Sequence, residues 1–329
     1  MLATIEKIEN IRIHPNADKL MIANVRGWQT IIQKDTFKEG EKIIFVQPDT
    51  IVNRASWNEF LFDDKLKIEK RIKPIKLRGE ISVGLVVPIS VLPPEISTDI
   101  ETEVSEIIGV KKYVKEIPAN LQGINKGNFP SVLPKTDEER IENCKRVLEE
   151  LEGIECAITI KCDGTSASYV VYEGEHHVCS RNLSKKETEE SVYWQMYHKY
   201  DIKKFLDENP NLALQGEIIG GSIQKNPMQV EGFKLLIFNV YNIEIGRYLG
   251  YDEMNDVLSK YPLIERVPFL TRMVFNGMTQ EKLKEMAKGY YEGTKNNREG
   301  IVIRSVKEMY SYTLKGRMSF KCINDDYKD

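Results

Sequence analysis

From the start of the chain to about residue 110, apolar residues come in short runs: Thr4 to Ile8, Leu20 to Val25, Trp28 to Ile32, Lys42 to Val46 and Ile81 to Pro88. Turn residues separate them, in His14-Pro15-Asn16, Glu39-Gly40 and Gln47-Pro48-Asp49. Short β runs punctuated this way predict a small barrel or sandwich. Between about 111 and 135 the apolar repeats thin out while Pro118, Gly123, Gly127, Pro130 and Pro134 accumulate, which is linker chemistry. Thr136 with Glu139 three residues on reads as a capping box. Ile141, Cys144, Leu148 and Leu151 then recur at helical spacing up to the stop at Gly153. Strand-like runs follow at 154–160, 166–172, 212–219, 233–243, 300–306 and 318–323, with helical patterns near 188–208, 251–260 and 279–289. Such interleaving predicts an α+β domain whose sheets are largely antiparallel.

One strand carries a candidate reactive group. In Ile154 to Lys161 the residues Ile154, Cys156, Ile158 and Ile160 share one face by the strand period of two, so Lys161 shares the other with Ala157 and Thr159. Asp163-Gly164 follows, and a hairpin returning as Thr165 to Tyr172 is expected. A lysine in water has a pKa near 10.4, so only about 1 in 2,500 is a neutral nucleophile at pH 7. Arg181 and Lys321, in β-like stretches of the same domain, are candidate neighbouring cations. Alone, the Lys-x-Asp-Gly pattern is also that of an ordinary exposed hairpin lysine.

Composition narrows the rest. A chain of 329 residues with 41% hydrophobic content exceeds what one core usually organises, so two domains are expected: residues 1–115, a linker at 116–135, and residues 136–329. The net charge of -3 argues against a uniformly basic protein, yet Lys65, Lys67, Lys70, Arg71, Lys73, Lys76 and Arg78 crowd one stretch that could meet phosphates or form a solvated face. The five cysteines show no C-x-x-C pair, which fits neither a disulfide framework nor a zinc knuckle. No apolar run approaches about 18 residues and the first residues carry charge, so an intracellular protein, cytoplasmic or nuclear, with no membrane partner is expected.

Several stretches occur in the order found in ATP-dependent RNA ligases of the covalent nucleotidyltransferase superfamily. Lys161-Cys162-Asp163-Gly164 resembles motif I, Ser180-Arg181-Asn182 motif Ia, and Gln215-Gly216-Glu217 with Gln224-Lys225-Asn226 the glutamate strand and following loop. Phe238-Asn239-Val240-Tyr241 resembles motif III, Arg298-Glu299-Gly300-Ile301-Val302-Ile303-Arg304 motif IV, and Ser319-Phe320-Lys321 motif V. Ser319 departs from the pattern by standing where motif V has its first lysine, which leaves open whether Ser319 or Lys315 fills that place, and Ser166 stands where some RNA ligases have Asn. In the first domain, His14 to Leu20, Lys76-Leu77-Arg78-Gly79 and Ser82-Val83-Gly84 resemble OB-fold tRNA-binding modules; His14 itself reads as a turn residue.

An OB domain ahead of the catalytic one is the order of nick-sealing RNA ligases, whereas DNA ligases and capping enzymes place theirs after it. The resemblance implies an OB-fold β-barrel followed by an adenylyltransferase domain of antiparallel sheets flanked by helices. It implies ATP and Mg²⁺ (or Mn²⁺) as cofactors, Lys161 as the residue that carries AMP, and Lys321 at the α-phosphate. Asp163 and Glu299 would hold the metal. Gly164, Arg181, Glu217 and Phe238 would contact the nucleotide, with Phe238 stacking on adenine and Glu217 on the ribose. The partner would be a nicked duplex with an RNA 3′-hydroxyl, with no obligate protein partner. The alternatives are a GTP-using guanylyltransferase and a non-catalytic tRNA- or RNA-binding adaptor. As residue types, Phe238 in an apolar run also fits a core aromatic and Glu299 a strand-start acid, while Glu217 in Ala213 to Ile219 is hard to explain structurally.

Overall fold

A computed structural model describes residues 2–64, 66–113 and 123–327. Lys65, Pro118 and positions 116–122 of the expected linker lie outside them. The chain forms two compact units: Met1–Glu116 with Ile243–Gly246, and Ile117–Asn242 with Arg247–Asp329.

The first unit is built of small antiparallel sheets. One sets Lys42–Val46 between Ala3–Lys7 and Leu85–Pro88; another orders Asn10–Ile13, Leu20–Val25 and Trp28–Gln33; a third sets Thr50–Asn53 between Val110–Lys112 and Glu69–Ile72. Ile43-Ile44-Phe45-Val46 is an unbroken apolar block because its strand is buried on both faces. Ile44 and Val46 pack with Ala3, Ile5 and Val87, while Ile43 and Phe45 pack with Ile8, Ala23 and Val25. The expected strand from Ile81 to Pro88 is two strands, Glu80–Ser82 and Leu85–Pro88. They part at Gly84 (φ +74°), where a Cβ would lie 2.5 Å from the Phe45 ring. His14 is a turn residue: Nδ1 accepts from the Asn16 amide at 3.1 Å and Nε2 contacts the Leu77 carbonyl at 3.0 Å. In the basic stretch, Lys67, Lys73, Lys76 and Arg78 are exposed. Arg71 instead donates to Asp49 at 2.5 Å and lies 3.8 Å from the Tyr113 ring centre.

Two large sheets make most of the second unit, beside a two-stranded ribbon of Tyr310–Ser311 and Gly316–Arg317. The seven-stranded one runs Asn125–Asn128, Leu183–Lys185, Glu175–Ser180, Thr165–Tyr172, Leu212–Gly220, Phe233–Asn242 and Arg247–Tyr248. The five-stranded one runs Glu139–Arg140, Ser319–Ile323, Gly300–Ser305, Glu155–Lys161 and Phe269–Val274. Apart from the Glu139–Arg140 pairing, which is parallel, both sheets are antiparallel. Helices Val192–Lys199 and Ile202–Glu208 seat Trp194, Ile202 and Phe205 against Tyr169 and Leu214 of the larger sheet. Helix Gln280–Ala287 seats Leu283 and Ala287 against Ile303 and Phe320 of the smaller. The helical pattern at 188–208 is thus split, at Asp201 with φ 48°. Among the described residues no helix is long and apolar enough to cross a membrane.

Two sequence expectations fail here. The helix expected from Thr136 is only the turn Val147–Glu150, because tertiary partners claim the residues before it. The Thr136 hydroxyl bonds Ser166 Oγ at 2.9 Å, and Glu139 pairs with Phe320 in the sheet. Nor do Glu155–Lys161 and Thr165–Tyr172 form a hairpin. The first already has neighbours on both edges, Phe269–Val274 and Gly300–Ser305, and the second has Glu175–Ser180 and Leu212–Gly220. Cys162 to Gly164 therefore carries the chain from one sheet into the other. Only glycine fits at 164, since a Cβ would lie 2.3 Å from the Ile218 carbonyl oxygen.

Candidate active site

Lys161 ends its strand at this crossover, opposite Gly300 in the ladder, so the side chain of Glu299 comes alongside it. Lys161 Nζ donates to Glu299 Oε2 at 2.6 Å, and both side chains are mostly shielded. Thr159, on the same strand face as Lys161, lines the pocket with Lys161, Cys162, Glu217, Phe238, Val302 and Arg304. Ile158 and Cys156 point the other way, into the core of the smaller sheet. The period-two reading of this strand holds, and it separates a packed face from one with room for a ligand.

Acidic groups crowd the lysine. Burial pushes the Glu217 carboxyl up to about 8, aided by the Glu299 and Asp163 charges and opposed by Lys161. Burial also raises Glu299, with the Lys161 ammonium pulling the other way. Lys321, opposite Val302 in the ladder, is lowered first by burial and then by the Lys161 cation. Asp163 accepts a hydrogen bond from the Tyr327 phenol. Among the described residues no three His, Cys, Asp or Glu side chains converge as direct ligands of one metal ion.

Phe238 is only half-buried, on a strand whose flanking Ile237 and Asn239 are buried. It lines the pocket, so the core-aromatic reading does not describe it. Gly164 lies against Leu212–Gly220, the strand that bears Glu217. Arg181 faces elsewhere: it pairs with Asp137 at 2.6 Å, and both side chains are largely exposed. Lys315 sits exposed at a turn with φ 51°. The place beside Ser319 is taken by the buried Arg304 guanidinium, whose Nε donates to Ser319 Oγ at 3.0 Å. Arg304 also donates to the Phe238 carbonyl at 3.1 Å and to Glu138 at 3.0 Å, and Ser319 donates to the same Glu138 oxygen at 2.7 Å.

Sequence reasoning gave no role to three of these neighbours. Tyr291 is 2% exposed; its hydroxyl donates to the Lys161 carbonyl at 3.1 Å and accepts from the Glu299 amide at 3.1 Å. Nothing local to Tyr291 announces this. Arg304 had a signal, being a charge in the otherwise buried strand Gly300–Ser305, the same oddity that singles out Glu217. Tyr327 had none.

Comparison with known proteins fits this geometry. Residues 154–323 match the RNA ligase family, and residues 2–89 match an OB-fold domain. Among solved structures the chain is similar to Naegleria gruberi RNA ligase with PPi, at 30% identity and a TM-score of 0.57, covering 98% of this chain and 96% of that one. It is equally similar, by those measures, to a mutant of that protein with ATP and Mn. A further mutant, with AMP and Mn, matches at 30% identity and a TM-score of 0.57, over 98% of this chain and 97% of that one. No curated sequence matches. The matches agree with the α+β class expected from the sequence, an OB-fold domain and then a sheet-rich nucleotidyltransferase domain.

Proposed function

The chain belongs to the ATP-dependent RNA ligase family, and from that premise we propose that it seals a 3′-hydroxyl to a 5′-phosphate at a nick whose 3′ strand is RNA. The observation that carries the reading is one pocket lined by Lys161, Glu217 and Phe238, with Glu299 2.6 Å from the lysine. Lys161 attacks the α-phosphorus of ATP. A phosphorus–nitrogen bond forms as the bond to pyrophosphate breaks, and AMP stays on the lysine. AMP then passes to the 5′-phosphate, and the 3′-hydroxyl displaces it.

Phe238 presents its ring to adenine, Glu217 accepts from a ribose hydroxyl, and Gly164 lets the chain pass close beneath. Lys321 steadies charge at the α-phosphate. Arg181, on its exposed turn, meets the ribose or the nucleic-acid end after release from Asp137. Asp163 and Glu299 fit a divalent ion: burial, and after it the neighbouring carboxylates, raise Glu217 and Glu299 beside a single lysine, a crowding of acids that calls for a second cation. Held there with its waters, Mg²⁺ or Mn²⁺ would offset charge on the triphosphate. With Glu299 so engaged, Lys161 would be released from its 2.6 Å ion pair and free to turn toward the α-phosphate.

The first unit, through exposed Lys67, Lys73 and Arg78, binds the duplex flanking the nick. Incubation with labelled ATP or labelled GTP and Mg²⁺, followed by denaturing electrophoresis, tests the core of this reading. A covalent protein-AMP band supports it, while a GMP band or no band with either nucleotide overturns it.

A further inference from the structure

Asp163 also borders a second cavity, a cleft of about 820 Å³ against about 80 Å³ for the pocket around Lys161. Its walls carry Gln224 and Lys225 from one loop, Lys295 and Asn296 from another, and Asp326 and Tyr327 from the segment after Ile323. The first loop is built to one shape. Gln224, Lys225 and Asn226 have φ of 48°, 58° and 50°, three consecutive left-handed residues without a glycine. Asn226 holds the turn, donating to the Val230 carbonyl at 2.9 Å and accepting from the Val230 amide at 3.0 Å. Asn296 ties the two loops together by donating to the Pro227 carbonyl at 2.8 Å. Lys225 and Lys295 stand exposed with no ion pair or hydrogen bond among the described residues.

We infer that this cleft is a phosphate site that takes the backbone of the nucleic-acid strand at the joint, with Lys225 and Lys295 on the phosphate oxygens and the Gln224 amide on phosphate or sugar. The inference rests on the ligase reading above and adds where the polymer lies. Two sources could supply phosphate, a nucleic-acid strand or the triphosphate tail of ATP. The breadth of the cleft, and the placing of its two lysines on separate loops, suit a continuous strand. Asp163 and Asp326 balance the two lysines, so attraction here comes from directed contacts and not from a broad positive field.

The full-length double variant K225E/K295E separates the sources. Lys161 adenylation from labelled ATP should stay within about two-fold of wild type, while binding and sealing of a pre-adenylated nicked duplex fall at least about ten-fold at roughly 0.1 M salt. The slope of log affinity against log salt should shrink by about 2, one unit for each lysine. K225R/K295R should recover most of the binding. Unchanged duplex binding and sealing would overturn the inference. So would a raised ATP requirement in adenylation with normal sealing of the pre-adenylated nick, which would assign the cleft to the triphosphate. Duplex binding, read by fluorescence anisotropy, does not depend on adenylation, so a wild-type chain that failed to label would count against the ligase reading and not against the cleft.

Discussion

Lys161 and Glu299 face each other at 2.6 Å across adjacent strands, one the last residue of its strand and the other just before the next begins. The candidate nucleophile is therefore ion-paired with the carboxylate proposed to help hold the divalent ion. Glu299→Ala removes that support for the ion. It is expected to cost lysine adenylation on the order of 100-fold, the scale for losing one charge-stabilising group. The melting temperature should hold or rise, since burial already disfavours this carboxylate. Near wild-type labelling at saturating Mg²⁺ would remove Glu299 from the adenylation machinery.

Lys161→Ala should form no protein-AMP yet still seal a nick that already carries 5′-AMP, because only the first step needs the amine. Both reactions can be followed on one gel. Labelling of the variant by ATP would place the nucleophile elsewhere.

Tyr291→Phe keeps the ring and removes the hydroxyl that joins the Lys161 carbonyl to the Glu299 amide. Losing two hydrogen bonds at a buried site should destabilise the fold by about 1 to 3 kcal/mol. Adenylation should fall further than the loss of folded protein explains, because the two strand ends are no longer pinned. Denaturant melts alongside single-turnover labelling check this, and equal losses in both would reduce Tyr291 to a packing role.

Glu217 sets a pH dependence. Its folded pKa of about 8 lies above the unfolded value of roughly 4.3, so between them the folded chain holds a proton that the unfolded chain has released. The contribution to stability is complete below about pH 4.3 and is lost as pH rises through 8. Wild-type melting temperature should decline from pH 5 to pH 8 relative to Glu217→Gln, which has no such group. Parallel curves for the two proteins would contradict the enclosed, protonated carboxyl.

The basic stretch of the first unit offers a test that spares the fold. Charge reversal at Lys67, Lys73 and Arg78 should weaken nick sealing and flatten its dependence on salt while leaving protein-AMP formation near wild type. Arg71 is unsuitable for this test because its ion pair with Asp49 and its contact with Tyr113 are structural. Sealing indifferent to these reversals would deny the first unit its proposed part.

The strands were legible because burial imposes a period of two, or an unbroken apolar block when both faces are covered, as in Ile43 to Val46. The helix expected at Thr136 shows the limit. Its capping residues are spent on Ser166 and on the sheet, and these partners lie 30 or more residues away. The Asp163-Gly164 dipeptide announced a turn but not which sheet would receive the chain. Of the site, Lys161 was legible from its place at a strand end just before Asp163-Gly164, and Glu217 as an acid in the otherwise apolar run Ala213 to Ile219. Tyr291 and Tyr327 were not, since each acts through a hydroxyl brought in from 130 or more residues away.

The crossover at Cys162 to Gly164 makes the site a seam: Lys161 closes one sheet, Glu217 belongs to the other, and three residues of backbone link the Lys161 strand to Thr165–Tyr172, the neighbour of the strand that bears Glu217. A molecule bound to both spans that seam as a rivet spans two plates. Thermal parting of the sheets must then break the rivet as well as the packing, so occupancy of a few atoms' contact should sharpen the cooperative melting of the whole second unit. The same geometry explains why residue 164 tolerates no side chain, since a single methyl group there would wedge the plates apart before any ligand arrived.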